Sequence, residues 1–214
     1  MENNIPDGGD ILIKSLEAAG IRHIFGLSGG AALPIFDALT GSSPNIEFVL
    51  VRHEQGAAHM ADGYARATGR PACVLVTSGP GATNTLTGIM TAHMDSVPMI
   101  VISGQQVTWM LGKDAFQEAD IFGVTMPIVK HSYLVKETAE IPRVVKEAIH
   151  IATTGRPGPV LIDVPKNVSQ GEFVGSLEPE LDLPGYVVPE LTDHESIHKI
   201  AEALGKARRP VLLV

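Results

Sequence analysis

At 214 residues, 44% hydrophobic and 19% charged, the chain has enough apolar material for a sizeable core and lacks the composition of a disordered segment. A formal net charge of −8 argues against a nucleic-acid surface, which must be basic to displace counterions, and leaves a small molecule as the expected partner. Cys73, the single cysteine, lies in an apolar run, which excludes an intrachain disulfide and predicts a buried thiol in a reducing compartment.

In chain order, Met1–Asp10 is polar and acidic, unlike a secretory leader, and no apolar stretch reaches the roughly 18 residues of a membrane span. A cytoplasmic protein without membrane contact is expected. Gly9–Ala19 places Ile11, Leu12, Leu16 and Ala19 at helical spacing, with Gly20 as a stop. Short apolar runs of strand character follow at His23–Leu27, Glu47–Val51, Ala72–Thr77, Met99–Ser103 and Val160–Val164. Helical stretches at Ala32–Leu39, Glu54–Thr68, Gly81–Asp95 and Ala139–Thr153 are interleaved with them. Strands apolar on both faces and alternating with helices predict an α/β fold, a doubly wound parallel sheet with helices on both faces. That domain is expected to span residues 1–168. Residues 169–192 carry acids, glycines and prolines with little periodicity and predict a linker. A helix at Asp193–Ala207 and a strand opening at Val211–Val214 predict the start of a further domain, left unfinished by the chain.

Two segments carry chemistry. Ser78-Gly79-Pro80-Gly81-Ala82-Thr83-Asn84 joins a strand to a helix, where α/β sheets place ligands against helix amides. It is not a dinucleotide fingerprint, because Asn84 replaces the third glycine and no acid follows about 20 residues on. A tight turn without a ligand is the alternative on these residues alone. In the second segment, Arg52 to Arg66, Glu54 stands where a strand gives way to a helix and its carboxylate can face a cleft. An acid in a first helical turn also complements the helix dipole, so both readings stay open. His53 and His59 do not have the spacing of a zinc-binding helix face, and His194 and His198 lack a third ligand, so no metal ligand is expected here.

The run His53-Glu54-Gln55-Gly56-Ala57-Ala58-His59-Met60-Ala61-Asp62-Gly63-Tyr64-Ala65-Arg66, followed by Thr77 to Asn84, resembles the pyrimidine-binding domain of thiamine-diphosphate enzymes. Met94 to Pro98, Asp114 to Glu118 with Lys130-His131, Gly155 to Pro159 and Asp163 to Lys166 narrow the resemblance to acetolactate synthase catalytic subunits. It covers roughly residues 8–214.

The resemblance implies that Glu54 hydrogen-bonds the aminopyrimidine of thiamine diphosphate and promotes its imino tautomer, a role that needs a carboxylate shielded from water. It implies that Pro80, Gly81 and Asn84 line the pyrimidine side and that Gln117 stands beside the reacting centre as a catalytic residue that also contacts the cofactor. Phe116, Lys166, Gly30 and Ala31 are implied on the substrate side, and Ser96 and Arg156 near an FAD that the family carries without net redox use. On residues alone, Phe116 reads as core, Lys166 and Arg156 as solvated charges and Ser96 as a turn residue.

The implied reaction condenses two pyruvates, or pyruvate and 2-ketobutyrate, with loss of CO2 in branched-chain amino-acid synthesis. The implied partners are these 2-keto acids, a second copy in a homodimer or homotetramer, and a regulatory subunit. The Gly-Asp-Gly motif that holds diphosphate and Mg2+ in this family is absent, since Ala61-Asp62-Gly63 lacks its first glycine. Those ligands are therefore expected beyond Val214, and the fragment alone is expected to have no turnover. Leu27-Ser28 stands where relatives carry Tyr-Pro, Gln106-Val107 where they show Val-Pro or Val-Ala, and Trp109 where a small residue is common. Loss of a proline predicts a looser loop. These departures keep a second thiamine-diphosphate chemistry in view, such as sulfoacetaldehyde acetyltransferase or oxalyl-CoA decarboxylase. A non-catalytic dimerising α/β module is the further alternative.

Overall fold

The computed structural model describes residues 5–41, 45–188 and 193–213 and contains two compact units, divided between Pro184 and Gly185. In the first unit six strands pair in parallel: β1 (His23–Leu27), β2 (Glu47–Leu50), β3 (Ala72–Val76), β4 (Met99–Gln105), β5 (His131–Leu134) and β6 (Pro159–Pro165). Their order across the sheet is β2-β1-β3-β4-β6-β5. The helices of this unit are α1 (Gly8–Ala18), α2 (Leu33–Gly41), α3 (Glu54–Thr68), α4 (Pro80–Thr83), α5 (Leu86–Met94), α6 (Ile121–Thr125), α7 (Ile141–Thr153) and α8 (Lys166–Ser169). The architecture is the α/β parallel sheet expected from the pattern.

Burial explains which strands read clearly. β3, β4 and β6 are buried at every position, because helices cover both faces of the sheet there. Phe25, Val74, Val76, Met99, Val101 and Leu161 form one core with the alanine face of α3 (Ala57, Ala58, Ala61, Ala65) and Ile89 of α5. Side chains alternate along a strand, so the intervening Ile24, Cys73, Leu75, Ile100, Ile102 and Ile162 point to the other face. All six are buried there, on the side of the layer in which α1 packs with α2 and α7. The Cys73 thiol has no exposure, and burial raises its pKa strongly.

α3 begins and ends where expected. His53 caps it by accepting the Gln55 amide on Nδ1 at 3.1 Å, and Gly69 closes it at φ 68°. The helix expected over 81–95 is instead α4 and α5, separated at Asn84 and Thr85, and the Thr85 hydroxyl donates to the Ala82 carbonyl at 2.6 Å. β5 was not anticipated. It is a four-residue edge strand with one buried position, too short and too polar to show a period.

Residues 169–173, expected to open a linker, belong to the packed unit. Gly8 N–H donates to the Gly171 carbonyl and Phe173 N–H to the Pro6 carbonyl, both at 3.0 Å, and Ser169 is fully buried. The first amide of α1 needs an acceptor, and this returning segment supplies it. The expected linker residues 189–192 lie outside the described residues.

The second unit contains α9 (His194–Lys206), capped by Asp193, which accepts the Glu195 amide at 3.1 Å. Glu195 pairs with Lys199, and Glu202 with Lys206, one turn apart. Residues 211–213 form no strand, and Val214, the end of the strand expected there, lies outside the described residues.

α3 and α5 meet at a glycine. A Cβ added at Gly88 would fall 2.4 Å from the Ala58 Cβ, whereas one added at Gly63, on the same α3, would meet nothing within 4 Å. Gly88→Ala is therefore expected to lower stability by about 1–3 kcal/mol, and Gly63→Ala to raise it by about 0.5–1 kcal/mol, in urea unfolding with an unchanged m value. Equal effects from the two substitutions would contradict the close helix contact.

Candidate active site

All six strands run the same way, so the loops leaving them by their carboxyl ends gather at one edge. β1 has β2 on one side and β3 on the other, and the chain reverses its direction of winding between them, which opens a crevice at that edge. The loops there lie in close contact. Ala31 N–H donates to Thr77 Oγ1 at 3.3 Å. Gly79, at φ 56°, lies so close to the 114–118 segment that a Cβ would fall 2.4 Å from the Gln117 carbonyl oxygen. Only glycine meets both demands.

Glu54 is the first residue of α3 and is 9% exposed. Its Oε2 accepts the Asn84 side-chain amide at 2.9 Å. Oε1 has no protein donor among the described residues and faces Gly81, where a Cβ would come within 3.4 Å of it and 2.7 Å of Thr77 Cγ2. The structure thus brings Glu54, Gly81 and Asn84 together, with Pro80 on the same turn. One carboxylate oxygen is anchored, and the other is aimed at a space that the missing side chain of Gly81 keeps open. A flat nitrogen heterocycle able to share a proton with Oε1 fits this arrangement. Among the described residues no three His, Cys, Asp or Glu side chains converge as a metal site.

Beside this cluster lies a cavity of about 220 Å³ lined by Gly30, Ala31, Ser78, Gln105, Gln106, Phe116, Gln117 and Lys166. It collects Gly30, Ala31, Phe116, Gln117 and Lys166, all expected at the site. Phe116 is 81% exposed, so its ring is not part of the core. Gln117 has φ 56°, a conformation that costs a non-glycine residue on the order of 1 kcal/mol and that persists only where the surroundings impose it. Here the Gln106 amide donates to the Phe116 carbonyl at 2.6 Å, and the Glu118 carboxylate accepts the Ala115 amide at 2.8 Å and the Gly112 amide. The Ala115 bond, followed by the Gly112 bond, lowers the Glu118 pKa.

Ser96 and Arg156 are brought together elsewhere. Arg156 Nε donates to Ser96 Oγ at 2.7 Å and its Nη2 to the Met94 carbonyl at 3.2 Å. They precede β4 and β6, whose first residues Met99 and Pro159 are partners in register. This pair therefore sits at the amino edge of the sheet, a strand length away from Glu54.

Beneath the cavity lies a group that the sequence reading quoted within a motif but gave no role of its own. Asp163, on β6 and 1% exposed, accepts Ser103 Oγ at 2.6 Å and Gln105 Nε2 at 3.0 Å. Gln105 also donates to the Ala119 carbonyl at 3.0 Å and accepts the Gln106 amide at 2.8 Å, tying both ends of the 106–119 loop to the sheet. Burial pushes the Asp163 carboxyl up to about 7; the bonds from Ser103 and Gln105 oppose the rise, and nearby Asp120 adds to it. An aspartate inside an apolar strand run was the available signal.

Residues 6–124 match the family described as thiamine pyrophosphate enzyme, N-terminal TPP binding domain. The chain is 50% identical over 210 residues to the acetolactate synthase large subunit of Haemophilus influenzae, a match covering 97% of this chain and 36% of that relative. It is 50% identical over 207 residues to an acetolactate synthase of Mycobacterium bovis, covering 97% of this chain and 33% of the relative. The large subunit from Buchnera aphidicola subsp. Acyrthosiphon pisum gives 50% over 210 residues, with 97% and 37% covered. The chain thus spans about a third of the length of these curated relatives.

The raised Asp163 pKa makes stability depend on pH. The folded state holds this proton more tightly than the unfolded chain, whose value is 3.8, so the stabilising contribution is full below that pH and is lost as pH rises through about 7. Asp163→Asn keeps an acceptor for Gln105 and can donate to Ser103 Oγ. It is expected to flatten the pH dependence of unfolding between these two values and to raise stability at pH 8 by a few kcal/mol, on the order of 1.4 per unit of pKa. An unchanged slope in urea titrations across pH would assign the dependence to another group.

Proposed function

The chain belongs to the thiamine pyrophosphate enzyme family through its N-terminal TPP-binding domain, and on that premise we propose that it is the pyrimidine-binding part of an acetolactate synthase. The reaction joins two pyruvates, or pyruvate and 2-ketobutyrate, into a branched acetohydroxy acid with release of one CO2. The observation that carries this reading is the Glu54 carboxylate, largely screened from water, with Oε2 fixed by Asn84 and Oε1 aimed at the space over Gly81. The names and the 50% identity of the relatives support the choice of reaction.

Thiamine diphosphate, when bound, supplies the electron sink for cleaving the bond between a carbonyl carbon and its carboxylate. The residues of this chain provide orientation and proton handling. Glu54 Oε1 would share a proton with a ring nitrogen, while the Asn84 amide, bonded to Oε2, keeps the carboxylate from rotating away. Gly81 and Pro80 would hold the ring from the backbone side. Gln117 and Phe116, held over the cavity by Gln106 and Glu118, would meet the reacting substrate, and Gly30, Ala31 and Lys166 would wall its entrance.

Pro80 and Asn84 are exposed on this chain, leaving the cluster open to a second polypeptide surface. We assign the diphosphate and Mg2+ ligands to such a surface, in a homodimer or homotetramer. FAD is the further proposed cofactor: exposed Arg156, with Nη1 in no hydrogen bond among the described residues, would meet it together with Ser96. That two relatives are named large subunits supports a smaller regulatory partner. A cytoplasmic setting is proposed with it; among the described residues no helix is long and apolar enough to cross a membrane.

Acetolactate formation from pyruvate, with thiamine diphosphate, Mg2+ and FAD, tests the reading on the complete polypeptide. Glu54→Gln is expected to reduce turnover by at least about 100-fold, the scale of a lost proton-transfer group. A cofactor-loaded wild type that forms no acetolactate would redirect the assignment to another acyl-transfer or lyase chemistry of the family. The 214 residues alone are expected to give no turnover.

A further inference from the structure

Among the described residues, three buried side-chain atoms have no hydrogen-bond partner: Ser15 Oγ, His23 Nδ1 and Ser78 Oγ. Ser15 and His23 belong to partly exposed residues. Ser78 is 1% exposed and lines the cavity at the carboxyl edge. A desolvated hydroxyl without a partner is destabilising, and native folds rarely keep one without a use.

The local backbone explains why Ser78 does not satisfy itself. A serine at a strand-to-helix turn ordinarily caps the helix that follows. Gly79 occupies the cap position of α4 instead, and Ser78 contributes only its carbonyl, which accepts the Gly81 amide at 3.2 Å. Its hydroxyl is left without a hydrogen bond in a residue that lines the cavity. The same cavity is lined by Gln117 and Lys166, neither of whose side chains is hydrogen-bonded or ion-paired to another described residue. Gln105 and Gln106, by contrast, spend their amides on Asp163, Ala119 and Phe116.

We propose that Ser78 Oγ is a ligand-binding group that donates to the carboxylate of a 2-oxo acid substrate, alongside the Gln117 amide and the Lys166 ammonium; this rests on the function proposed above. Three residues able to donate, one of them cationic, line this one cavity, a set that suits a small anion bearing paired oxygens. The hydroxyl is covered when the cavity is empty, and a rotation about χ1, fast on the timescale of turnover, brings it to a seated ligand. The group thus opposes stability in the empty site and favours binding in the filled one.

The test uses the complete enzyme and reads stability, binding and turnover together. Ser78→Ala is expected to raise the Tm of substrate-free enzyme by about 2 °C, because it removes the unpartnered hydroxyl. The same variant should raise KM for pyruvate about 5- to 20-fold with kcat within about twofold, since an interaction made equally in ground and transition states moves only KM. Ser78→Cys, which keeps the volume but weakens the donor, should follow Ala in KM. Calorimetric titration of cofactor-free enzyme with pyruvate should show the same loss of affinity. An unchanged KM and affinity in Ser78→Ala would overturn the proposal, as would a fall in Tm with kcat and KM both impaired, which marks a structural serine. Wild-type enzyme that binds pyruvate in a Ser78-dependent way but forms no acetolactate would sink the reaction assignment and leave Ser78 in place. Wild-type enzyme that does not bind pyruvate at all would sink the carboxylate dock itself.

Discussion

Contact of backbone with backbone at the carboxyl edge is the constraint on which the rest of this site depends. The turn after β3 reaches the 114–118 segment because Gly79 has no side chain and holds a positive φ. The same turn carries Gly81, whose bareness leaves room in front of Glu54, and Thr77, which fastens the loop after β1 through the Ala31 amide. Any side chain at Gly79 would push Phe116 and Gln117 away from the cavity. The site is thus assembled from segments that follow five of the strands, β1, β2, β3, β4 and β6, and close backbone approach at its glycines sets much of its shape.

Under this edge the sheet contains a polar seam. Asp163, Ser103 and Gln105 occupy strand positions that the rest of β4 and β6 fill with aliphatic residues, and they extend through Gln105 to both ends of the 106–119 loop. A fully partnered network of this kind gives one arrangement rather than several, whereas a half-satisfied one would cost more than an apolar core. The raised carboxyl pKa of Asp163 is the thermodynamic mark of that exchange of stability for definition. Ser78 is a second such mark, at a smaller scale and on the ligand side.

The legible part of the fold was the part governed by burial alone. β3, β4 and β6 are apolar throughout because both faces are covered, and α3 announces itself through its alanine face and terminal glycine. β5 was illegible because an edge strand with one buried residue leaves no pattern. The division of α4 from α5 was hidden because Asn84 keeps helical angles and the side-chain period runs on across the break. Within the site, Glu54 and Asn84 could each be named by resemblance, but their bond spans thirty residues and appears only when β2 and β3 are placed in space. Ser96 and Arg156 were grouped by the same resemblance and do meet, though at the opposite edge of the sheet. No one-dimensional pattern discloses that Ser78 lacks a partner, since that depends on what every neighbour does with its own polar atoms.

Cys73 lies at the middle of the sheet, on β3, sealed from solvent and with its thiol held protonated by burial. Local fraying of loops or edge strands does not reach it, and reagents that trap thiolates find nothing to react with while the sheet is intact. As the single thiol of these residues, it makes the chain its own gauge of global opening: the rate at which an alkylating label accumulates on it counts excursions of the whole β-sheet, without an introduced probe.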